Sequence, residues 1–224
     1  MLDPTYEEIQ EITDKKLKDY LWSITIDILK EENIKISEPF KQFIQKNINN
    51  QISLDDIHHF LSLRKDQKVV KPDYYAINIM KWLETGLNTS FRPLQILTLN
   101  VNIFDQFNHQ KYNIDDNEKE NKLMTIIDRY EEIKNEKRTF EQKIDYIIEM
   151  ILACYNLEPF QNYNLITCYL MMVHYLQYNF SNVNYKKLYQ ETKALLYDIL
   201  TMDEKHFKKI LTTVLEKNSE VQLT

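Results

Sequence analysis

The chain has 224 residues, of which 28% are charged and 43% apolar, and carries a net charge of −6. That length supports one sizeable core, and the mixed, mildly acidic charge excludes a nucleic-acid binder working through a basic face. One glycine, Gly86, and five prolines exclude an all-β protein built on tight turns, so the chain is expected to be mostly helical.

From the N-terminus, Asp3-Pro4 reads as a helix cap and first helical residue. Ile9, Ile12, Leu17, Leu21, Ile24 and Ile28 then mark one or two amphipathic helices. A polar break over 31–37 precedes a helix opened by Pro39 and carried by Phe40, Phe43 and Ile44. Ser53 with Asp56 three residues on is a capping-box variant and predicts a short helix to about Leu63. Residues 64–71 read as a charged linker, followed by a helix over 73–85 that stops at Gly86. Thr98–Phe104, with β-branched Thr98, Val101 and Ile103, reads as a strand, and Lys111–Ile114 as its partner across the turn Asp105–Gln110.

Beyond Glu120 the helical period is cleaner. Leu123, Met124, Ile126, Ile127, Tyr130 and Ile133 fit one helix, and the capping box Thr139-Phe-Glu-Gln142 opens the next. Tyr185–Leu200 predicts another, and Thr201-Met-Asp-Glu204 caps the last; residues 218–224 read as a frayed tail. Between these elements lies a run of 27 residues, Pro159–Tyr185, without a formal charge. Such a run is best explained by burial. Leu165 to Phe180 is apolar around its whole circumference, which predicts a central helix covered on every side. It is too short for a membrane span and contains His174, Gln177 and Asn179. Cys154 and Cys168, in apolar surroundings, read as reduced core thiols. No secretory signal or metal-ligand cluster is visible; His58-His59 face apart on a helix, His174 reads as a core histidine, and His109 lies in the predicted hairpin turn.

Two stretches resemble one family. Glu158-Pro-Phe-Gln-Asn-Tyr-Asn-Leu-Ile-Thr-Cys-Tyr169 resembles a decayed form of the Fic motif, His-Pro-Phe-x-Asp/Glu-Gly-Asn-Gly-Arg-x-x-Arg, of Fic/Doc-type nucleotidyl transferases. Pro159, Phe160 and Asn164 agree with it. Gln45-Lys-Asn-Ile-Asn49-Asn50, followed by Ser53-Leu-Asp-Asp56, resembles that family's N-terminal inhibitory helix, with Gln45 at its Ser/Thr position and Asn49 at its glutamate.

The resemblance implies an all-α, Fic-like helical bundle around a central buried helix, with one small β-hairpin flap. Residues 1–63 would be an N-terminal helical region including a vestigial inhibitory helix, and 73–217 the core. In the family the motif histidine is a general base, an acidic residue holds Mg²⁺, two glycines approach the phosphates and two arginines neutralise them. Here those positions hold Glu158, Asn162, Tyr163 and Leu165, and Ile166 and Tyr169. The implied protein is a pseudoenzyme with no catalytic residue, no metal site and no ATP or Mg²⁺ bound. Asn49 would face Tyr169, neutral against neutral where the family pairs glutamate with arginine. Asn100, Val101, Asn102, Ile103 and Phe104 would form a flap that holds a target segment by strand addition, or a surface hairpin without a ligand. The partner would be a protein: a Fic paralogue, its target, or a second copy, in a bacterial cytoplasm, with neither nucleic acid nor membrane involved. Two alternatives remain open at this point: a Fic-fold transferase with altered chemistry using Glu158 as base, and a plain helical adaptor.

Overall fold

The computed structural model describes residues 12–63, 67–88, 93–104, 117–134 and 138–215. Among them are ten helices and no strand, with an isolated antiparallel bridge between Val183 and Leu215. The chain is all-α. In order the helices are α1 (Lys15–Glu31), α2 (Glu38–Ile48), α3 (Leu54–Ser62), α4 (Gln67–Asn88), α5 (Pro93–Phe104), α6 (Asn117–Lys134), α7 (Phe140–Leu157), α8 (Asn164–Asn179), α9 (Tyr185–Thr201) and α10 (Glu204–Val214).

Local chemistry sets most of the starts. The Asp14 carboxylate accepts from Lys16 N and Leu17 N, so α1 begins after it. Ser53 and Thr139 both close full capping boxes, with Asp56 and Gln142 reaching back to the cap nitrogen. Each such cap satisfies backbone donors that the first helical turn leaves open, worth about 1 kcal/mol.

The core is assembled on α8. Every residue from Ile166 to Leu176 is buried, and Met171, Met172, Val173 and Tyr175 are fully so. A helix buried on all sides needs neighbours all round, and α8 has them in α4, α7 and α9, with α5 at its start. Its far end is fixed by Asn179, whose amide donates to Tyr175 O (2.8 Å) and to the Tyr130 hydroxyl on α6 (2.7 Å). The N-terminal helices join the same body: α1 lies along α9 and α4, and α3 along α4. Asp73, buried on α4, accepts from both the backbone N and the hydroxyl of Ser37, the cap of α2.

Four expectations are corrected. Thr98–Phe104 is not a strand but the second half of α5, so there is no hairpin flap at this place. Leu99, Asn100, Ile103 and Phe104 are buried while Asn102 is exposed, which is helical spacing; the β-branched residues between them lower helix propensity only slightly. The linker reading of 64–71 fails from Gln67 onward, because α4 starts there and runs through Pro72. Gly86 does not stop α4, which continues to Asn88. Finally, α10 is capped by Asp203, whose side chain accepts from His206 N, and Thr201 belongs to the last turn of α9. The expectations for Asp3-Pro4, Ile9, His109, Lys111–Ile114 and 218–224 lie outside the described residues.

The loop before the central helix

The turn from α7 into α8 is built without glycine. Glu158, the residue after α7, has φ 45° and ψ 58°, and Tyr163, the residue before α8, has φ 62° and ψ 31°. Left-handed backbone at such residues costs about 1–3 kcal/mol each, so surrounding contacts must hold it. Asn164 supplies the inner clasp: its Oδ1 accepts from Phe160 N (3.0 Å) and its Nδ2 donates to Phe160 O (2.7 Å). Phe160 itself is buried.

Three helices hold the loop from outside. Asn100 on α5, fully buried, donates to Asn162 O and to Thr167 Oγ1, both at 2.9 Å. Thr167 in turn donates to Tyr163 O (2.8 Å). Lys119 on α6 donates to Glu158 O (2.9 Å). The Tyr163 ring stacks on Phe104 with centroids 4.2 Å apart, and Tyr75 of α4 packs edge-on against both. Lys71 lies over the Tyr75 ring.

Electrostatics follow from this filling. Burial pushes the Tyr163 phenol up, and the neighbouring Tyr75, which shares a hydrogen bond with it, acts in the same sense; Lys71 opposes. Tyr155 is also raised, first by burial and then by Glu158 and other neighbours. Glu32, at the end of α1, is raised by burial. Among the described residues, the charges tied to the loop are Lys71 and Lys119 against Glu32 and Glu158.

The expected site residues therefore divide. Glu158, Asn162 and Asn164 do lie together in the loop, with Glu158 and Asn162 exposed at its surface. Ile166 and Tyr169 are fully buried; the Tyr169 hydroxyl pairs with Thr192 Oγ1 (3.0 Å), and burial pushes its pKa up. Gln45 and Asn49 are exposed on α2, where Asn49 Nδ2 donates to Gln45 O (2.9 Å). An exposed side chain bonded to its own helix and a fully buried one bonded to α9 are not a facing pair. The expected Asn49–Tyr169 contact is thus corrected. Ile44 is buried and Ile48 and Ile52 are half-buried against the core, as the apolar period of α2 requires.

Of the five flap candidates, Asn100, Ile103 and Phe104 are buried, Val101 is half-buried and Asn102 exposed. Asn100 and Phe104 do reach the loop, but as helix residues that hold it. Sequence reasoning missed Glu32, Lys71, Tyr75 and Lys119 as neighbours of the loop, and it singled out Asn100 and Phe104 only as strand residues of a flap. No family model matches the chain, and no curated protein or solved structure matches it. The class it defines is an all-helical bundle around a buried helix.

Proposed function

We propose that this protein is a catalytically silent helical module that acts by binding a protein partner rather than by transferring a nucleotide. One observation carries the reading. The positions that resemble phosphate-binding arginines, Ile166 and Tyr169, lie fully inside the core, and Asn164 engages both the donor and the acceptor of the Phe160 backbone. An aromatic cluster of Tyr75, Phe104 and Tyr163 fills the side of the loop where the family's glycines would leave room. The motif positions themselves carry no cation to neutralise phosphates and no acidic residue at the metal position. The mild negative charge of the chain favours a protein partner over nucleic acid.

A second reading, a plain helical adaptor unrelated to Fic proteins, is favoured by two findings. The segment expected as the flap is helical, and Asn49 does not face Tyr169. Both readings predict silence toward nucleotides; they differ only in ancestry. The purified protein, incubated with Mg²⁺ and labelled ATP alone or with added proteins, is expected to incorporate no label. Incorporation that vanishes in Glu158→Ala would overturn the proposal in favour of a transferase with Glu158 as base.

A further inference from the structure

The corner between α9 and α10 holds a histidine against a buried carboxylate. The Asp198 side chain is 1% exposed, and its Oδ1 lies 2.7 Å from Nδ1 of His206, whose side chain is 49% exposed. The backbone fixes both ends of this contact. Asp203 N donates to Asp198 O (3.1 Å), and His206 N donates to the Asp203 carboxylate (3.1 Å) that caps α10. A carboxylate can only accept, so Nδ1 carries the proton, and in the neutral ring the lone pair falls on Nε2, at the edge away from the buried group. Asp198 Oδ2 has no hydrogen-bond partner among the described residues, so His206 is the side chain that answers this carboxylate.

An imidazole so oriented can serve three chemistries. As a proton relay it needs a reacting group in hydrogen-bond reach of Nε2, and as a metal ligand it needs further ligands. Among the described residues no side chain bonds Nε2, and no three metal-ligating side chains come together. The third use is the ring's own nucleophilicity, which requires that the positive charge it gains be stabilised. Asp198 does this across the 2.7 Å contact. The surroundings admit an incoming phosphoryl group. His206 lies in the first turn of α10, at the positive end of the helix dipole. Lys209, one turn on and on the same face, is exposed and forms no ion pair among the described residues. Asp203 and Glu204 are the opposing charges, and Asp203 is engaged on the helix cap.

We propose that His206 is a phosphoryl-acceptor site, taking a phosphoryl group on Nε2 from a small donor of the phosphoramidate class. The Nε2 lone pair forms the new bond to phosphorus, the donor's P–N bond breaks, and the amine leaves with that electron pair. The Nδ1 proton stays in its bond to Asp198, so none is released. The test treats the full-length protein with potassium phosphoramidate and maps acid-labile, N-linked phosphate by mass spectrometry and ³¹P NMR. His59 is the internal reference, exposed on α3 with no carboxylate bonded to its ring among the described residues. His206 is expected to be modified on Nε2 about tenfold faster than His59 or more, the effect of a charge-assisted partner for the imidazolium that forms. Asp198→Asn keeps an oxygen for the Nδ1 proton but loses the charge, and should lower the His206 rate toward that of His59. Equal rates at the two histidines, attachment at Nδ1, or an unchanged His206 rate in Asp198→Asn would overturn the proposal. Should Asp198→Asn fail to fold, the rate ratio and the site of attachment in the unsubstituted chain decide it.

Discussion

Asn164 closes the loop from within, and its two bonds to Phe160 explain how a turn with two left-handed non-glycine residues stays in place. Asn164→Ala should cost about 1–3 kcal/mol in urea unfolding, because a partly buried donor and acceptor both lose their partner. Asn164→Asp keeps the acceptor for Phe160 N but sets a second oxygen against Phe160 O, so it should cost at least as much; negligible losses in both variants would mean that the clasp is not what holds the loop. Tyr169 gives a second test. Tyr169→Arg buries a guanidinium where a phenol fills the core, with the Asp27 carboxylate, already paired with Lys30, as the charge that reaches it, and should destabilise by about 1–4 kcal/mol. Since Asn49 is exposed, adding Asn49→Glu should recover nothing, and a double-mutant cycle should return additivity. Glu32 provides a pH signature. Its folded pKa is raised by burial above 4.5, so the unfolded state releases the proton first. The resulting penalty is absent below pH 4.5 and complete above the folded pKa. Glu32→Gln should therefore raise stability at pH 7 and leave it unchanged at pH 4, which urea melts at the two pH values will read.

At the scale of elements, the helices were legible wherever caps and period agreed. Ser53 with Asp56, Thr139 with Gln142, and the uncharged run that contains α8 each announced their structure, because the local chemistry and the buried face point the same way. α5 was not legible as a helix. Thr98, Val101 and Ile103 raise strand propensity, while the deciding fact, burial of Leu99, Asn100, Ile103 and Phe104 against the loop and core, is tertiary. The loop's left-handed residues were invisible for a related reason: Glu158 and Tyr163 carry no intrinsic preference for that backbone and are held there by partners distant in sequence. α4 shows the converse error, where a true breaker was over-read. Gly86→Ala discriminates sharply: inside α4 it should stabilise by about 0.5–1 kcal/mol, whereas at a left-handed helix stop it would destabilise. Thermal or urea melts of this one variant decide the sign.

For the molecule as a whole, α8 organises everything that follows: it is sheathed by α4, α7 and α9, and the loop that opens it is gripped from α4, α5 and α6. Cys154 and Cys168 lie fully inside this assembly, and burial pushes the Cys154 thiol up to about 12. Few thiolates then exist at pH 8, so both cysteines should resist a thiol reagent until the fold opens. No helix among the described residues is long and apolar enough to cross a membrane. The central claim is the proposal that the loop before α8, packed from inside by Tyr75, Phe104 and Tyr163, does not bind a nucleotide. Titration of Mg²⁺–ATP into the ¹⁵N-labelled protein, followed at the amides of 160–168, tests it most directly. The account predicts no saturable shift there up to millimolar ligand; a saturable shift confined to those amides would contradict it.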